Sequence, residues 1–315
     1  SSGRGTPVDA AQVEVRADGS VVISCASPTH GQGHLTTWAG LVADRLGIDP
    51  NRVVLIDADT DAMARGQSTG GSRSSQVAAS ALVNACQDVI DQARPLAAAE
   101  LEASPEDLVV VAAGYGLEAG LAVAGVPTRR VTWSALAASQ SEGCLEAARY
   151  ESLPDGSYPY GTHASVVEVD TETGAVALLA HVAVDDCGTV LQRALVEGQQ
   201  HGGAVAGIAQ ALFEHAAVDH DANPLAATFA TYLLPAASEL CSIDAVTIET
   251  PTENNQLGTR GIGENGCNAA TGSVHNAVID ALYPRGVEHI DLPLSPQAIW
   301  QALQAAGSNS PARGS

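Results

Sequence analysis

Alternating apolar and polar positions mark two stretches of this chain, and a turn interrupts each of them. Residues 13–23 read VEVRADGSVVI, and residues 167–179 read VEVDTETGAVALL. A period of two is the pattern of a half-buried strand, and a Gly-containing pair between two such runs favours a tight turn. We therefore predict two β-hairpins. The second strand of each is predicted to continue, through SCAS (24–27) in the first and AHVAVDD (180–186) in the second.

Each predicted hairpin leads into a segment rich in Gly, Gln and His, and then into helical periodicity. The first segment is HGQGH (30–34), before a predicted helix over 36–46. The second is EGQQHGG (197–203), before a predicted helix over 204–214. In both helices the apolar residues recur every three or four positions. Because hairpin, strand, Gln-bearing turn and helix recur in the same order, we favour an internal pseudo-duplication over a coincidence in a mixed α/β protein.

Further elements follow from periodicity and from Pro and Gly punctuation. The pattern predicts a strand into a polar loop (53–61), a helix that Pro95 ends or kinks (76–93), a buried strand (108–113), a short helix (132–139), an extended segment (228–249) and a helix (269–282). The Pro-, Gly- and Tyr-rich segment 150–162 is the candidate boundary. We predict an α+β fold with two mixed α/β lobes, 1–150 and 151–306, and a polar tail, 307–315.

Charge and composition exclude several classes of partner. The chain has 14 Lys and Arg against 36 Asp and Glu, a formal net charge of −22. Such a field repels nucleic acids and anionic membranes but leaves room for a small anionic ligand. No apolar run reaches 18 residues, so no membrane span is predicted. The six cysteines form no CxxC pair, which argues against an iron–sulfur cluster in this chain and is typical of a cytoplasmic protein.

Two loops before helices carry the residue types of an anion site. In HGQGH, Gly31 and Gly33 allow the backbone to approach a phosphate, and Gln32 can donate to an oxygen. The alternative is a tight turn with a buried Gln. In STGGSRSS (68–75), hydroxyls, amides and Arg73 make a plausible phosphate nest, although a flexible N-cap run is the blander interpretation. The Gly-Lys-Ser/Thr ending of a Walker loop is absent.

Polar residues in the second predicted lobe point to the same ligand. A predicted strand ends in Asp185, Asp186 and Cys187. Aspartates at strand ends more often form turns, which is the interpretation we favour for Asp185. Asp186 and Cys187 are weak candidates for ligand contacts. Gln199 in EGQQHGG parallels Gln32 in HGQGH. Matched glutamines at two helix N-termini suggest one ligand held from both lobes.

Glu264 stands in the Gly-rich stretch GTRGIGENG (258–266). A phosphate-binding turn excludes acids, so this carboxylate needs another role. One interpretation is an acid favoured by the dipole of the following helix. The other is a general base in a dehydrated cleft. The residues alone leave both open.

Taken together, these motifs resemble the molybdenum-binding large subunit of the xanthine oxidase family, in the branch of carbon monoxide dehydrogenase-like, three-component bacterial hydroxylases. The matching segments occur in family order over nearly the whole chain. They are SPTHGQGHLTTWAGLVADRLGI, DADTDAMARGQSTGGSRSSQVAASAL, YPYGTHASVVEVDTETGAV, VAVDDCGTV, LVEGQQHGGAVAGIAQALFE, TYLLPAASEL, ETPTENNQLGTRGIGENG, HNAVIDAL and LPLSPQAIWQAL.

The resemblance implies a role for each loop. Glu264 would be the active-site base beside the molybdenum, and no residue of this chain would ligate the metal. A molybdopterin cytosine dinucleotide would be bound by Gln32, Gly33, His34, Thr36, Thr69, Gly70, Ser72, Arg73, Ser74, Asp186, Cys187 and Gln199. The implied reaction is water-derived hydroxylation of an electron-poor carbon in an N-heterocycle, purine or aldehyde. Electrons would leave through 2Fe–2S and FAD subunits.

The family pattern is incomplete here. The upstream molybdenum domain is not matched, so the chain would be either a split subunit or a fragment, and a partner chain would carry the other half. Arg260 stands where the family usually has Lys, and Asn265-Gly266-Cys267 follow the carboxylate. Carbon monoxide oxidation in the same family and a non-catalytic assembly subunit remain the alternatives. A plain nucleotide-binding protein is disfavoured because Rossmann spacing is absent.

Overall fold

A computed structural model describes residues 8–63, 66–153 and 155–308 as two compact units. The first unit contains the described chain up to Tyr158, together with Thr189–Gln192 and Pro251–Gly261. The second contains Pro159–Gly188, Arg193–Thr250 and the described chain from Ile262 onward. Two short segments of the later chain thus fold with the earlier one. Most of the predicted tail, residues 309–315, lies outside the described residues.

The first unit is built around a mixed four-stranded sheet. The strands of the whole unit are β1 (Val8–Arg16), β2 (Val21–Cys25), β3 (Val53–Asp57), β4 (Leu108–Val111), β5 (Gly120–Val123), β6 (Val126–Thr132) and β7 (Cys144–Ser152). The main sheet has the order β3-β2-β1-β7, in which only β2 and β3 are parallel. Strands β4, β5 and β6 form a small antiparallel sheet. The first predicted hairpin is therefore confirmed.

Helices α1 (His34–Leu46), α2 (Ser74–Leu101) and α3 (Trp133–Ala138) complete the first unit. Helices α1 and α2 pack on the main sheet, where Trp38, Leu46 and Leu82 are buried. The predicted end of α2 at Pro95 is wrong. Proline removes one main-chain donor, but Ala93 and Ala97 on either side of it are both buried in the same core, which holds the helix together.

The predicted strand over 108–113 is shorter and more exposed than expected. Strand β4 ends at Val111, and Val109 is 42% exposed. The reason is that β4 lies at the edge of the small sheet, so its apolar residues do not all face the core.

The second unit has strands β8 (Tyr160–Val169), β9 (Val176–Asp186) and β10 (Ile243–Ile248), and helices α4 (Arg193–Leu212), α5 (Asn265–Leu282) and α6 (Pro296–Ser308). The sheet order is β10-β9-β8, with β8 antiparallel and β10 parallel to β9. The second hairpin is confirmed. Helices α4 and α5 pack on each other and bury Ile208, Val274 and Leu282. No predicted helix corresponds to α6.

A repeated topology is present, but its loops correspond differently from the prediction. Each unit runs hairpin, helix, a third strand parallel to the second, and a long helix: β1-β2-α1-β3-α2 and β8-β9-α4-β10-α5. The counterpart of the HGQGH connection is therefore residues 187–192. The connection before α5, residues 249–264, corresponds to the one before α2 that carries STGGSRSS. The Glu264 loop and the Ser/Gly loop thus occupy equivalent places in the two repeats.

The predicted turn EGQQHGG is wrong, because residues 197–203 lie inside α4. Glycine destabilises a helix interior, so its abundance suggested a turn. Here the glycines permit close helix packing: a Cβ at Gly203 would lie 3.1 Å from the Cα of Gly266, and one at Gly207 would lie 2.5 Å from the carbonyl oxygen of Cys267. Gln199 therefore does not stand at a helix N-terminus.

Among the described residues, no helix is long and apolar enough to cross a membrane. None of the six cysteines forms a disulfide.

Candidate functional site

The two loops predicted to bind phosphate meet in the first unit. They follow β2 and β3, and parallel neighbours bring their carboxyl ends to the same sheet edge. The hydroxyl of Thr69 donates to the carbonyl oxygen of Pro28 across 2.6 Å and ties the loops together. Asp57, at the end of β3, accepts from the amide of Thr29 at 2.6 Å. Sheet topology therefore builds this site from two separate segments.

The first loop is held in shape by Gln32. Its Oε1 accepts from the amide of His30 at 2.8 Å and from the hydroxyl of Thr29 at 3.1 Å, and its Nε2 donates to the carbonyl oxygen of Pro28 at 3.3 Å. Gly31 and Gly33 have φ of 98° and 86°, which non-glycine residues rarely adopt. The side chain of Gln32 thus holds the shape of its own loop. This agrees with the alternative interpretation from the sequence, in which the glutamine has a structural role in a tight turn.

Helix α1 begins with His34, whose side chain is buried against Trp38. Burial lowers the pKa of His34, which favours the neutral imidazole. Its Nε2 lies 3.2 Å from Nε2 of Gln32, while its Nδ1 is buried and has no hydrogen-bond partner among the described residues. Thr36 is exposed in the first turn. Among the described residues, this helix start therefore holds two buried polar atoms without a partner, Nδ1 of His34 and Nε1 of Trp38.

The second loop turns sharply into α2. Gly71 and Ser72 have φ of 61° and 53°, and a Cβ at Gly70 or Gly71 would meet nothing within 4 Å. The guanidinium of Arg73 donates to the carbonyl oxygens of Val8 (3.3 Å) and Ser68. Arg73 therefore braces the loop through main-chain oxygens. The hydroxyl of Ser74 is buried without a partner at the helix start.

A third segment, Pro251–Gly261, closes on the second loop within the same unit. The hydroxyl of Thr259 donates to the carbonyl oxygen of Ser75 at 2.9 Å. A Cβ at Gly261 would lie 1.5 Å from the carbonyl oxygen of Ser72, so only glycine fits there. The side chain of Asn255 holds both the amide and the carbonyl of Thr259. The glycines of GTRG thus serve loop-on-loop packing.

In the second unit, Asp185 is the centre of a buried polar network. Its Oδ1 accepts from Nε2 of His163 at 3.2 Å and from the side-chain amide of Asn265, and its Oδ2 accepts from Nε2 of Gln200 at 3.1 Å. Asp185 is 1% exposed and Gln200 is fully buried. Oε1 of Gln200 accepts from the hydroxyl of Thr247. Three donors replace the water that the carboxylate loses on burial.

The network continues through two histidines. Nδ1 of His163 lies 3.1 Å from Nε2 of His181, Nδ1 of His181 lies 2.9 Å from the hydroxyl of Ser165, and that hydroxyl lies 2.8 Å from the hydroxyl of Ser273. Burial, followed by the neighbouring His163, lowers the pKa of His181 to about 4. The imidazole of His181 is therefore neutral in this interior at neutral pH.

Sequence reasoning missed His163, His181 and Gln200, and assigned the adjacent Gln199. Gln199 lies half-buried on α4. The second predicted hairpin, with its extension over 180–186, placed His181 on a strand, but it began at Val167 and left His163 outside. Whether two such positions face the same side of a sheet depends on the register, here Ser165 opposite His181 and His163 opposite Ala183.

Asp186 and Cys187 lie beside this network at the end of β9. Asp186 accepts from the amides of Gly188 at 2.8 Å and Thr250 at 3.0 Å, in keeping with the turn-forming role of strand-end aspartates. Cys187 is buried, and burial raises the pKa of its thiol to about 11. The thiol is thus uncharged at neutral pH.

Glu264 is the N-cap residue of α5, directly before Asn265, and it is exposed among the described residues. Its carbonyl oxygen accepts from the amide of Asn268, the first bond of the helix. The expected dehydrated surroundings are therefore not formed by these residues alone. The main chain passes from the first unit to the second between Gly261 and Ile262, immediately before this carboxylate.

Comparisons with known proteins find a family model and relatives that match most of this chain. A family model described as a molybdopterin cofactor-binding domain matches residues 2–241. The nicotine 6-hydroxylase large subunit of Paenarthrobacter nicotinovorans is 34% identical over 302 residues, which cover 94% of this chain and 37% of that subunit. The carbon monoxide dehydrogenase large chain of Hydrogenophaga pseudoflava is 31% identical over 298 residues, covering 94% of this chain and 37% of that one.

The fold agrees with the sequence matches. The crystal structure of quinoline 2-oxidoreductase from Pseudomonas putida 86 superimposes with a TM-score of 0.84 at 31% identity, covering 95% of this chain and 38% of that one. The chain therefore spans little more than a third of the length of the relatives it matches.

Proposed function

The chain belongs to the molybdopterin cofactor-binding domain family, and on that premise we propose that it is the cofactor-binding portion of a molybdenum hydroxylase. The observation that supports this most is the pairing of the two Gly-rich loops through Thr69 and Pro28, at the carboxyl edge of the β2–β3 pair. The reaction would place a water-derived oxygen on an electron-poor carbon. The lobe boundaries predicted from the sequence, 1–150 and 151–306, are part of this proposal.

The residues of the two loops fit a pterin dinucleotide. Open positions at Gly31, Gly70 and Gly71 let a ligand approach the main chain. The Ser74 hydroxyl and Nδ1 of His34 are buried polar atoms that have no partner in the part of the chain that the structure describes. Amides at the start of α2 add donors that favour anions. In our proposal Ser72, Ser74, Thr69 and Gly70 hold phosphate oxygens, while Gln32 and Arg73 keep the loops in the shape that does so. The cytosine form of the dinucleotide is the form we propose.

The other predicted contacts form the second part of the cofactor site in this proposal. Gly33, His34 and Thr36 face the ligand from the start of α1. Asp186, Cys187 and Gln199 are further residues that we propose to contact the cofactor. When bound, the cofactor would supply the metal oxidation chemistry that no side chain can perform.

Glu264 is the proposed general base. Its place at the start of a helix, on a loop equivalent to the STGGSRSS loop, presents a carboxylate where the first repeat presents amides and hydroxyls. The carboxylate would accept a proton from the oxygen nucleophile and release it after turnover. The polypeptide that completes the surroundings of Glu264 would exclude water from it.

The proposed substrates are N-heterocycles, purines or aldehydes, with N-heterocycles favoured because nicotine 6-hydroxylase and quinoline 2-oxidoreductase are among the similar proteins. Carbon monoxide oxidation is the second candidate, since a carbon monoxide dehydrogenase matches over a similar length. We propose that a chain with the upstream molybdenum domain, a 2Fe–2S subunit and an FAD subunit are the partners, in the cytoplasm.

Replacing Glu264 by Gln in the native complex tests the assignment of the base. We expect the variant to keep its molybdenum and pterin content and to lose at least about a hundredfold in kcat, because an amide cannot accept the proton. Glu253→Gln makes the same change at an exposed position of the preceding segment and should leave kcat unchanged. Turnover of Glu264→Gln at the rate of the native complex would show that Glu264 is not the base.

A further inference from the structure

We propose that Asp185 and Asn265 are positioning residues for Glu264, so that a buried network in the second unit determines where the catalytic carboxylate stands. This inference rests on the proposed function, in which Glu264 is the base. It concerns residues to which that proposal gives no role.

The contact lies directly beside the base. Asn265 follows Glu264 and is the first residue of α5, and its side-chain amide donates to Asp185 and to the carbonyl oxygen of Tyr160 at 3.2 Å. On the other side, the Glu264 carbonyl is fixed by the amide of Asn268. The main chain around Glu264 is therefore anchored both to the helix and to β8 and β9.

Space for this contact is provided by Gly161. A Cβ at this residue would lie 2.4 Å from Nδ2 of Asn265 and 2.5 Å from Oδ1 of Asp185. Any other side chain would force the two groups apart. Strand β8 therefore leaves a gap in which the amide and the carboxylate meet.

Asp185 is itself held on every side. With a proton on one nitrogen of each imidazole, Nε2–H of His163 donates to Asp185, and Nδ1 of His163 accepts from Nε2–H of His181. Nδ1 of His181 then accepts from the hydroxyl of Ser165. Each donor in the chain points toward Asp185, which accepts from Gln200 as well.

These hydrogen bonds give the Asp185 carboxylate a single orientation in which both oxygens have partners, as a buried acid requires. Such rigidity is useful near a reacting group, since a shift of about 1 Å can reduce the rate by about 10²-fold. The helix dipole alone would favour a negative charge at Glu264 but would not set its position.

Variants of the pair test the proposal in the native complex. Asn265→Ala and Asn265→Asp should each lower kcat at least about tenfold, with KM changed less than about twofold and molybdenum content retained. Asn265→Asp keeps the size of the side chain but sets one carboxylate against another. Asp280→Asn, at an exposed position of the same helix, is the control and should behave as the native complex.

A reciprocal swap separates positioning from a general loss of structure. In Asp185→Asn/Asn265→Asp, the amide and carboxylate exchange places, and the chain through His163 and His181 can reverse its donors by taking the other tautomers. We expect kcat at least about fivefold above that of Asn265→Asp alone. Hydrogen exchange of amides 265–268 should be faster in Asn265→Ala and recover in part in the swap, because the new carboxylate cannot donate to the Tyr160 carbonyl oxygen.

The outcomes are distinct from those of the base assignment. Native kcat in both Asn265 variants, or a swap no more active than Asn265→Asp, would overturn the positioning role even if Glu264→Gln is inactive. If Glu264→Gln is fully active, the base assignment fails, and unchanged exchange at 265–268 in Asn265→Ala would overturn the anchoring as well.

Discussion

Gly261 lies against the main chain of Ser72, so close that a Cβ at Gly261 would be 1.5 Å from the Ser72 carbonyl oxygen. The segment Pro251–Gly261 thus packs directly on the loop that we propose to hold the dinucleotide. Glycine at position 261 is therefore required by the packing of another loop.

Gly261→Ala should therefore weaken both stability and cofactor retention. The Cβ would push the backbone of Ser72 aside, at a cost of roughly 1–3 kcal/mol, as in other overpacked sites. We expect lower pterin content after gel filtration and a lower thermal midpoint. Gly272→Ala, in an open position of α5, is the control, since alanine favours a helix by up to about 1 kcal/mol. Equal pterin content in both variants would contradict this packing role.

Two neighbouring glycines of α4 should respond in opposite directions. Alanine at Gly203 would come within 3.1 Å of α5, whereas alanine at Gly202 meets nothing within 4 Å. We expect Gly203→Ala to lower the free energy of unfolding and Gly202→Ala to raise it by about 0.5–1 kcal/mol. Denaturant titration of the two variants checks this. A stabilising effect at both positions would show that α4 and α5 can move apart freely.

Arg73 is predicted to act through geometry and not through charge. Its guanidinium bridges the carbonyl oxygens of Val8 and Ser68, which a lysine cannot do in the same way. Arg73→Lys should therefore lose pterin dinucleotide about as readily as Arg73→Gln, measured by release at moderate salt. Full retention by Arg73→Lys alone would instead indicate that the positive charge contacts phosphate.

Burial of His181 should make the free energy of unfolding depend on pH. Because the pKa of His181 is lowered to about 4 from an ordinary value near 6.5, the unfolded chain takes up a proton first as pH falls. The stabilisation is complete above about pH 6.5 and is lost progressively toward pH 4. Relative to His181→Gln, the free energy of unfolding should fall by roughly 2 kcal/mol between pH 7 and pH 5. Parallel pH profiles would show that His181 can be protonated in the folded chain.

The sequence predicted the hairpins and the helices with clear periodicity, because alternation and three-to-four spacing follow directly from which face is buried. The prediction failed at EGQQHGG, where glycines that permit α4 to approach α5 resemble those of a turn. It also failed to find the partners of Asp185. Strand positions such as His163 and His181 become a network only through register, and a single sequence does not specify the register.

For the loops of the candidate site, too, the sequence predicted some features and missed others. The composition of HGQGH and STGGSRSS predicts phosphate contact, since glycine, hydroxyl and amide donors suit phosphate, and that contact stays a prediction. The sequence did not predict that Gln32 and Arg73 direct their side chains into the protein. Donors that shape a loop and donors that bind a ligand are the same residue types.

The most direct test of the central proposal is the composition of the native complex. Metal analysis and mass spectrometry of the complex purified through this chain should show molybdenum, a pterin dinucleotide, and partner subunits that carry 2Fe–2S and FAD. A complex that contains neither molybdenum nor pterin, with this chain folded, would contradict the account.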